Sequence, residues 1–225
     1  MPHLVLLGDS IFANAAYTSG GPDVISQVRS FLPTGWQATL VAIDGSTTDC
    51  MPDQIARLPK HATHLVLSVG GNNALMNASD LGIPLFGYTT GDTTIPRLVV
   101  MDRLADIAEN FHARYRKAVE ACLGPGLPLA VCTIYNGCFP DPKYQRAASV
   151  ALAIFNDVIL RVAIEHNLPV IDLRLICTHP DDYANPIEPS SKGGEKIARV
   201  IVALVTRPDS FAHATRIVGA STSSK

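Results

Sequence analysis

Ser10 follows the apolar run Leu4-Val5-Leu6-Leu7 within Gly8-Asp9-Ser10, Gly45 sits in Asp44-Gly45-Ser46-Thr47-Thr48, and Asn72 sits in Gly70-Gly71-Asn72-Asn73. Brought together, these residue types could perform acyl transfer. A hydroxyl would attack a carbonyl carbon, and nearby donors would hold the oxyanion that develops. The backbone N–H groups of Ser10 and Gly45 and the Asn72 amide are the candidate donors, and glycine lets the backbone come close to a substrate. Each residue alone has a plainer role: Ser10 and Asn72 as helix caps, Gly45 as a turn. All three follow separate predicted strands, which favours the chemical role.

Those strands are expected at 3–8, 37–43, 63–70, 127–134 and 168–173, where short apolar and β-branched runs recur. Amphipathic stretches at 22–32, 98–122, 143–166 and 192–206 are expected as helices; Pro33 stops the first and Gly124-Pro125-Gly126 the second. Alternation of this kind predicts an α/β fold, a flavodoxin-like three-layer α/β/α sandwich on a five-stranded parallel sheet. Ligands bind such sheets beyond the carboxyl ends of the strands, where Ser10, Gly45 and Asn72 are expected. Residues 1–207 read as one domain and 208–225, ending Ser221-Thr222-Ser223-Ser224-Lys225, as a mobile tail. The stretch from Asn77 to Pro96 is long and carries Ile83, Leu85, Phe86 and Tyr88 among Gly, Thr and Pro, which suits a lid or binding loop.

Composition narrows the function. The chain has 225 residues, 47% of them hydrophobic, and a formal charge of -2 with both signs interspersed. That is enough for one full core, and it offers no basic face for the phosphate contacts that dominate nucleic-acid affinity. The five cysteines, Cys50, Cys122, Cys132, Cys138 and Cys177, are scattered and lack a Cys-x-x-Cys pair, which suits reduced thiols in a cytoplasm. Neither a secretory signal nor a membrane span is expected. Cys177, His179, Asp181 and Asp182 lie close in sequence but lack a recognised zinc spacing, so neither metal nor cofactor is expected.

The motifs resemble those of the SGNH, or GDSL-type, hydrolases. The first block of that family is matched by Gly8-Asp9-Ser10-Ile11, the second by Gly45 and the third by Gly70-Gly71-Asn72-Asn73, where Asn73 replaces the usual aspartate. The resemblance implies a three-layer sandwich and esterase, lipase, thioesterase or carbohydrate deacetylase activity, with Ser10 as nucleophile and Ser10, Gly45 and Asn72 forming the oxyanion hole. In the last block, normally Asp-x-x-His-Pro-Ser, this chain reads Asn185-Pro186-Ile187-Glu188-Pro189-Ser190, so Glu188 replaces histidine and Asn185 replaces aspartate.

Three arrangements answer that departure. Glu188 acts as the general base, which requires burial to raise its pKa; His179 supplies a displaced imidazole; or no base exists and the fold only binds a ligand or partner. The other histidines, His3, His61, His64, His112, His166 and His213, fall away from the predicted catalytic edge. The leading expectation is a serine hydrolase of a small-molecule acyl ester or thioester, working through a Ser10 acyl-enzyme. Asp9, Asn73, Asn185, Phe86 and Tyr88 are the candidate substrate contacts. The alternatives are a catalytically silent SGNH fold and an acyltransferase.

Overall fold

A computed structural model describes residues 1–78, 97–207, 209–211 and 215–218. Six parallel strands form one sheet: β1 (His3–Gly8), β2 (Gln37–Leu40), β3 (His64–Ser68), β4 (Leu129–Cys132), β5 (Val170–Ile171) and β6 (Ile217–Val218), in the order β2-β1-β3-β4-β5-β6. The five expected strands are all present. The sixth comes from the segment expected as a tail: Ile217 and Val218 pair with Val170 and Ile171, so this short piece belongs to the sheet. The registers Leu6↔Leu40 and Leu6↔Val66 place β1 between β2 and β3. The chain leaves β1 towards opposite sheet edges for its next two strands, and such a reversal opens a crevice at the carboxyl ends.

The helices are α1 (Val24–Phe31), α2 (Met51–Ile55), α3 (Gly71–Ala78), α4 (Arg97–Leu123), α5 (Pro142–Glu165) and α6 (Ser191–Val205). Side chains along β1 alternate between the faces. Leu4 and Leu6 join Val24 and Val28 of α1 and Ile197 and Ile201 of α6, whereas Val5 and Leu7 join Met51 of α2, Phe111 and Tyr115 of α4, and Ile159 and Val162 of α5. This is the three-layer sandwich that the alternating sequence pattern requires. Asp141 caps α5, its carboxylate accepting from the N–H groups of Lys143 (2.7 Å) and Tyr144 (3.1 Å). Ser190 caps α6 by accepting from the Gly193 N–H at 3.2 Å.

By length and composition, α5 is apolar enough to cross a bilayer. Its buried positions Phe155, Val158, Ile159 and Val162 follow helical spacing and face the core, and the Phe155 ring lies 4.8 Å from that of Phe111 on α4. In this fold α5 is an outer-layer helix packed on the sheet.

Gly8 shows how tightly the strands meet at the crevice. Its φ is +125°, and a Cβ there would lie 1.8 Å from the carbonyl oxygen of Ser68. Only glycine allows the end of β1 to come so close to β3. The next residue's N–H donates to the same oxygen at 3.0 Å, and Ser10 follows.

Candidate active site

Three turns beyond β1, β2 and β3 are joined by side-chain amides. Gln54 on α2 is fully buried; its Oε1 accepts from the Gly8 N–H at 2.8 Å, and its Nε2 donates to the Gly8 carbonyl at 2.7 Å and to Ser46 Oγ at 3.2 Å. Asn72, in the first turn of α3, donates from Nδ2 to the Ser46 carbonyl at 2.9 Å. Gly8 precedes Ser10 by two residues and Ser46 follows Gly45, so the three expected oxyanion-hole segments form one hydrogen-bonded unit. The sequence reading missed Gln54. It lies in a short helix just after the Gly45 motif, and no local pattern marks a glutamine that will bind the Gly8 backbone 46 residues away.

The donors are left free. Among the described residues, the backbone N–H groups of Ser10 and Gly45 have no protein acceptor, whereas those of Asp9, Ile11, Phe12 and Ser46 are engaged. Gly45 adopts φ +77°, a left-handed turn conformation suited to glycine. Asn72 spends one amide proton on Ser46, and among the described residues the second has no acceptor.

Glu188 meets Ser10. Both are buried, at 6% and 7% exposure, and both line one cleft with Asp9 and Asn72. Burial pushes the Glu188 carboxyl up to about 7, opposed by its contact with the Ser10 hydroxyl and reinforced by the Asp44 carboxylate. Its Oε2 is buried without a hydrogen-bond partner among the described residues. Asp9, 2% exposed, is also raised to about 7 by burial, which the Ile11 N–H opposes and Glu188 adds to. Asp44 accepts from the Tyr17 hydroxyl at 2.7 Å.

The segment carrying Glu188 is held from several directions. The Ile187 carbonyl accepts from the Tyr135 hydroxyl at 2.7 Å, the Pro189 carbonyl from Asn14 Nδ2 at 3.2 Å, and the Glu188 carbonyl from the Ala184 N–H at 2.9 Å. Asn185 Oδ1 accepts from the N–H groups of Ile187 and Glu188, each at 3.0 Å. Asn185 thus shapes the turn that presents Glu188. The Asn73 amide is engaged by the Thr48 N–H and Oγ1, each at 3.1 Å, and ties α3 to the turn at 48–50.

His179 lies elsewhere. Its side chain is 65% exposed, and its Nδ1 accepts from the Asp181 N–H at 3.2 Å, capping the turn Pro180–Asp182. None of its contacts reaches Ser10, so the displaced-imidazole arrangement has no geometric support. Asp181 pairs with Lys192 and Asp182 with Lys196, and among the described residues no group of three or more metal-ligating side chains is assembled. Phe86 and Tyr88 lie outside the described residues. His3 and His61 stack with ring centroids 4.6 Å apart at the opposite, amino-terminal end of the sheet.

A model of the GDSL-like lipase/acylhydrolase family matches residues 6–195. No curated protein sequence matches the chain. Among solved structures, the extracellular lipase of Streptomyces rimosus is 16% identical, with 92% of this chain and 100% of that chain covered at a TM-score of 0.64. The phospholipase A1 of Streptomyces albidoflavus NA297 is 16% identical, with coverage of 91% and 99% and a TM-score of 0.61. The lipase/acylhydrolase of Enterococcus faecalis is 19% identical, with coverage of 90% and 94% and a TM-score of 0.56. At such identities the likeness is one of fold.

Two predictions follow from this geometry. Gln54→Leu strands the buried Gly8 N–H, while the Gly8 carbonyl keeps the Ile43 N–H at 3.1 Å; an unmade buried bond costs about 1–3 kcal/mol, so denaturant unfolding is expected to show a loss of about 1–3 kcal/mol, and an unchanged midpoint would contradict the clamp. Glu188 has a folded-state pKa raised above its unfolded value, so it disfavours the folded state increasingly as pH climbs from about 4 to about 7. Glu188→Gln removes that burden, and its Tm should exceed the parent's at pH 8 by more than at pH 5. A gap that shrinks with rising pH would refute the buried, raised carboxyl.

Proposed function

The chain belongs to the GDSL-like lipase/acylhydrolase family and is a carboxylic ester hydrolase, and from that premise we propose that it works through a Ser10 acyl-enzyme with Glu188 as general base. The observation that carries this reading is that the buried Ser10 and Glu188 side chains line one cleft, beside backbone donors that have no protein acceptor among the described residues. A carboxylate is ordinarily a weak base near neutrality. Raised to about 7, it approaches the basicity of imidazole, whose ordinary pKa is about 6.5.

In the proposed cycle, Ser10 Oγ attacks the acyl carbonyl carbon as its proton passes to Glu188. The N–H groups of Ser10 and Gly45 and the free proton of Asn72 Nδ2 hold the oxyanion. The protonated Glu188 then returns its proton to the departing alkoxide as the carbon–oxygen bond breaks, leaving acyl-Ser10. Water, losing a proton to Glu188, attacks the acyl carbon; collapse expels Ser10 Oγ, which recovers the proton. Asp44, linked to Tyr17, reinforces the raised pKa of Glu188 and so acts on the base from a distance.

Hydrolysis of short p-nitrophenyl esters tests the reading. Ser10→Ala should fall to background and Glu188→Gln by roughly 10²–10⁴-fold, while His179→Ala stays within about twofold. The base must be unprotonated, so kcat/KM should rise about tenfold per pH unit below about 7 and level off above it. Loss in His179→Ala with retention in Glu188→Gln would reverse the assignment.

A further inference from the structure

We propose that the apolar face shared by α3 and α5 is the acyl-chain subsite of this enzyme, selecting uncharged aliphatic acyl groups, with Ala151 and Leu75 setting the chain length it accepts. The inference rests on the Ser10 reading above and adds what Ser10 acts on. The cleft that begins at Ser10 and Asn72 continues along Leu75 and Ala78 of α3 and along Ala148, Ala151, Leu152 and Phe155 of α5. The α5 residues recur at helical spacing and present one stripe to the cleft. Phe155 packs against Phe111, and of the five α5 positions that line the cleft, Tyr144 included, two are alanine, so the stripe leaves room where a larger side chain would fill it.

Charge decides which occupant fits. Among the described residues, the only charged groups lining the cleft are Asp9 and Glu188, and no lysine, arginine or histidine lines it. A carboxylate on the acyl group would enter beside two acids with no cation to pair it, whereas a methylene chain would bury apolar surface on both walls. The leaving group must stay near Glu188, which returns a proton to it, and Asp44 and Tyr17 lie on that polar side. The acyl chain is therefore the part directed along α3 and α5.

The test uses p-nitrophenyl esters from acetyl to octanoyl, the mono-p-nitrophenyl ester of glutaric acid, and acetate esters of alcohols from ethanol to octanol. In the parent, kcat/KM should rise roughly threefold per methylene on the acyl side until the cleft is full, the glutaryl ester should run at least about tenfold below pentanoyl, and alcohol length should matter little. Ala151→Phe should cut octanoyl hydrolysis at least tenfold while acetyl hydrolysis stays within about twofold. Leu75→Ala, which removes a contact rather than adding bulk, should lower octanoyl hydrolysis with the same sparing of acetyl. Acetyl and octanoyl hydrolysis falling together in both folded variants would overturn the subsite, and so would a length dependence confined to the alcohol. Thermal stabilisation by 2-decanone, an uncharged ketone with an acyl-like tail, reads the subsite without turnover: it should be present in the parent and lost in Ala151→Phe. If no ester is cleaved but this stabilisation and its loss are seen, the Ser10 reading fails and the subsite stands; stabilisation absent from the parent overturns the subsite whatever the hydrolysis.

Discussion

One buried carboxamide holds the site together. Gln54 accepts from the Gly8 N–H, shares the Gly8 carbonyl with the Ile43 N–H and reaches Ser46, so the turn that carries Ser10 and the turn that carries Gly45 cannot move apart without stranding polar groups in the core. Asn72 adds the third turn through the Ser46 carbonyl. The same device recurs across the cleft. Asn156 on α5 accepts from the Ile134 N–H at 2.7 Å and donates to its carbonyl at 2.8 Å, fixing a wall residue as Gln54 fixes the floor. Strand ends in a parallel sheet leave backbone groups unpaired, and here buried amides satisfy them while leaving the N–H groups of Ser10 and Gly45 unspent.

Against this rigid frame, Glu188 is placed at a cost to stability. A carboxyl removed from water with one oxygen unpartnered disfavours the charged form. The segment 183–190 bears that cost through contacts with Tyr135, Asn14 and Asn185, none of which touches the carboxyl itself. The backbone is pinned and the side-chain head is left without a cation, an arrangement that keeps a carboxyl basic. A nearby lysine or arginine would lower its pKa and remove the property on which the proposed chemistry depends.

Much of this was readable from the sequence, because strand positions follow from apolar runs and the chemistry follows strand ends. Ser10, Gly45 and Asn72 could be placed at one edge on that basis alone. Side-chain contacts between distant segments could not. Gln54 and the Asp44–Tyr17 pair are invisible to local pattern, and Asn73 and Asn185 looked like substrate contacts because motif position does not show which way an amide is spent. His179 drew attention as a histidine near the last motif, although its place before Pro180 and two aspartates makes it a cap. Ile217–Val218 is too short for periodicity to reveal, and the edge of β5 is what recruits it.

The central claim, that Glu188 activates Ser10, is tested most directly by the rate at which a small fluorophosphonate labels Ser10 as a function of pH, measured by intact mass and peptide mapping. A single adduct on Ser10 is expected, formed at a rate that climbs through an inflection near 7 in the parent, collapses in Glu188→Gln, and returns in Glu188→His with its inflection moved towards the imidazole range. Labelling that is equally fast in Glu188→Gln, or that proceeds without an inflection in the parent, would contradict it.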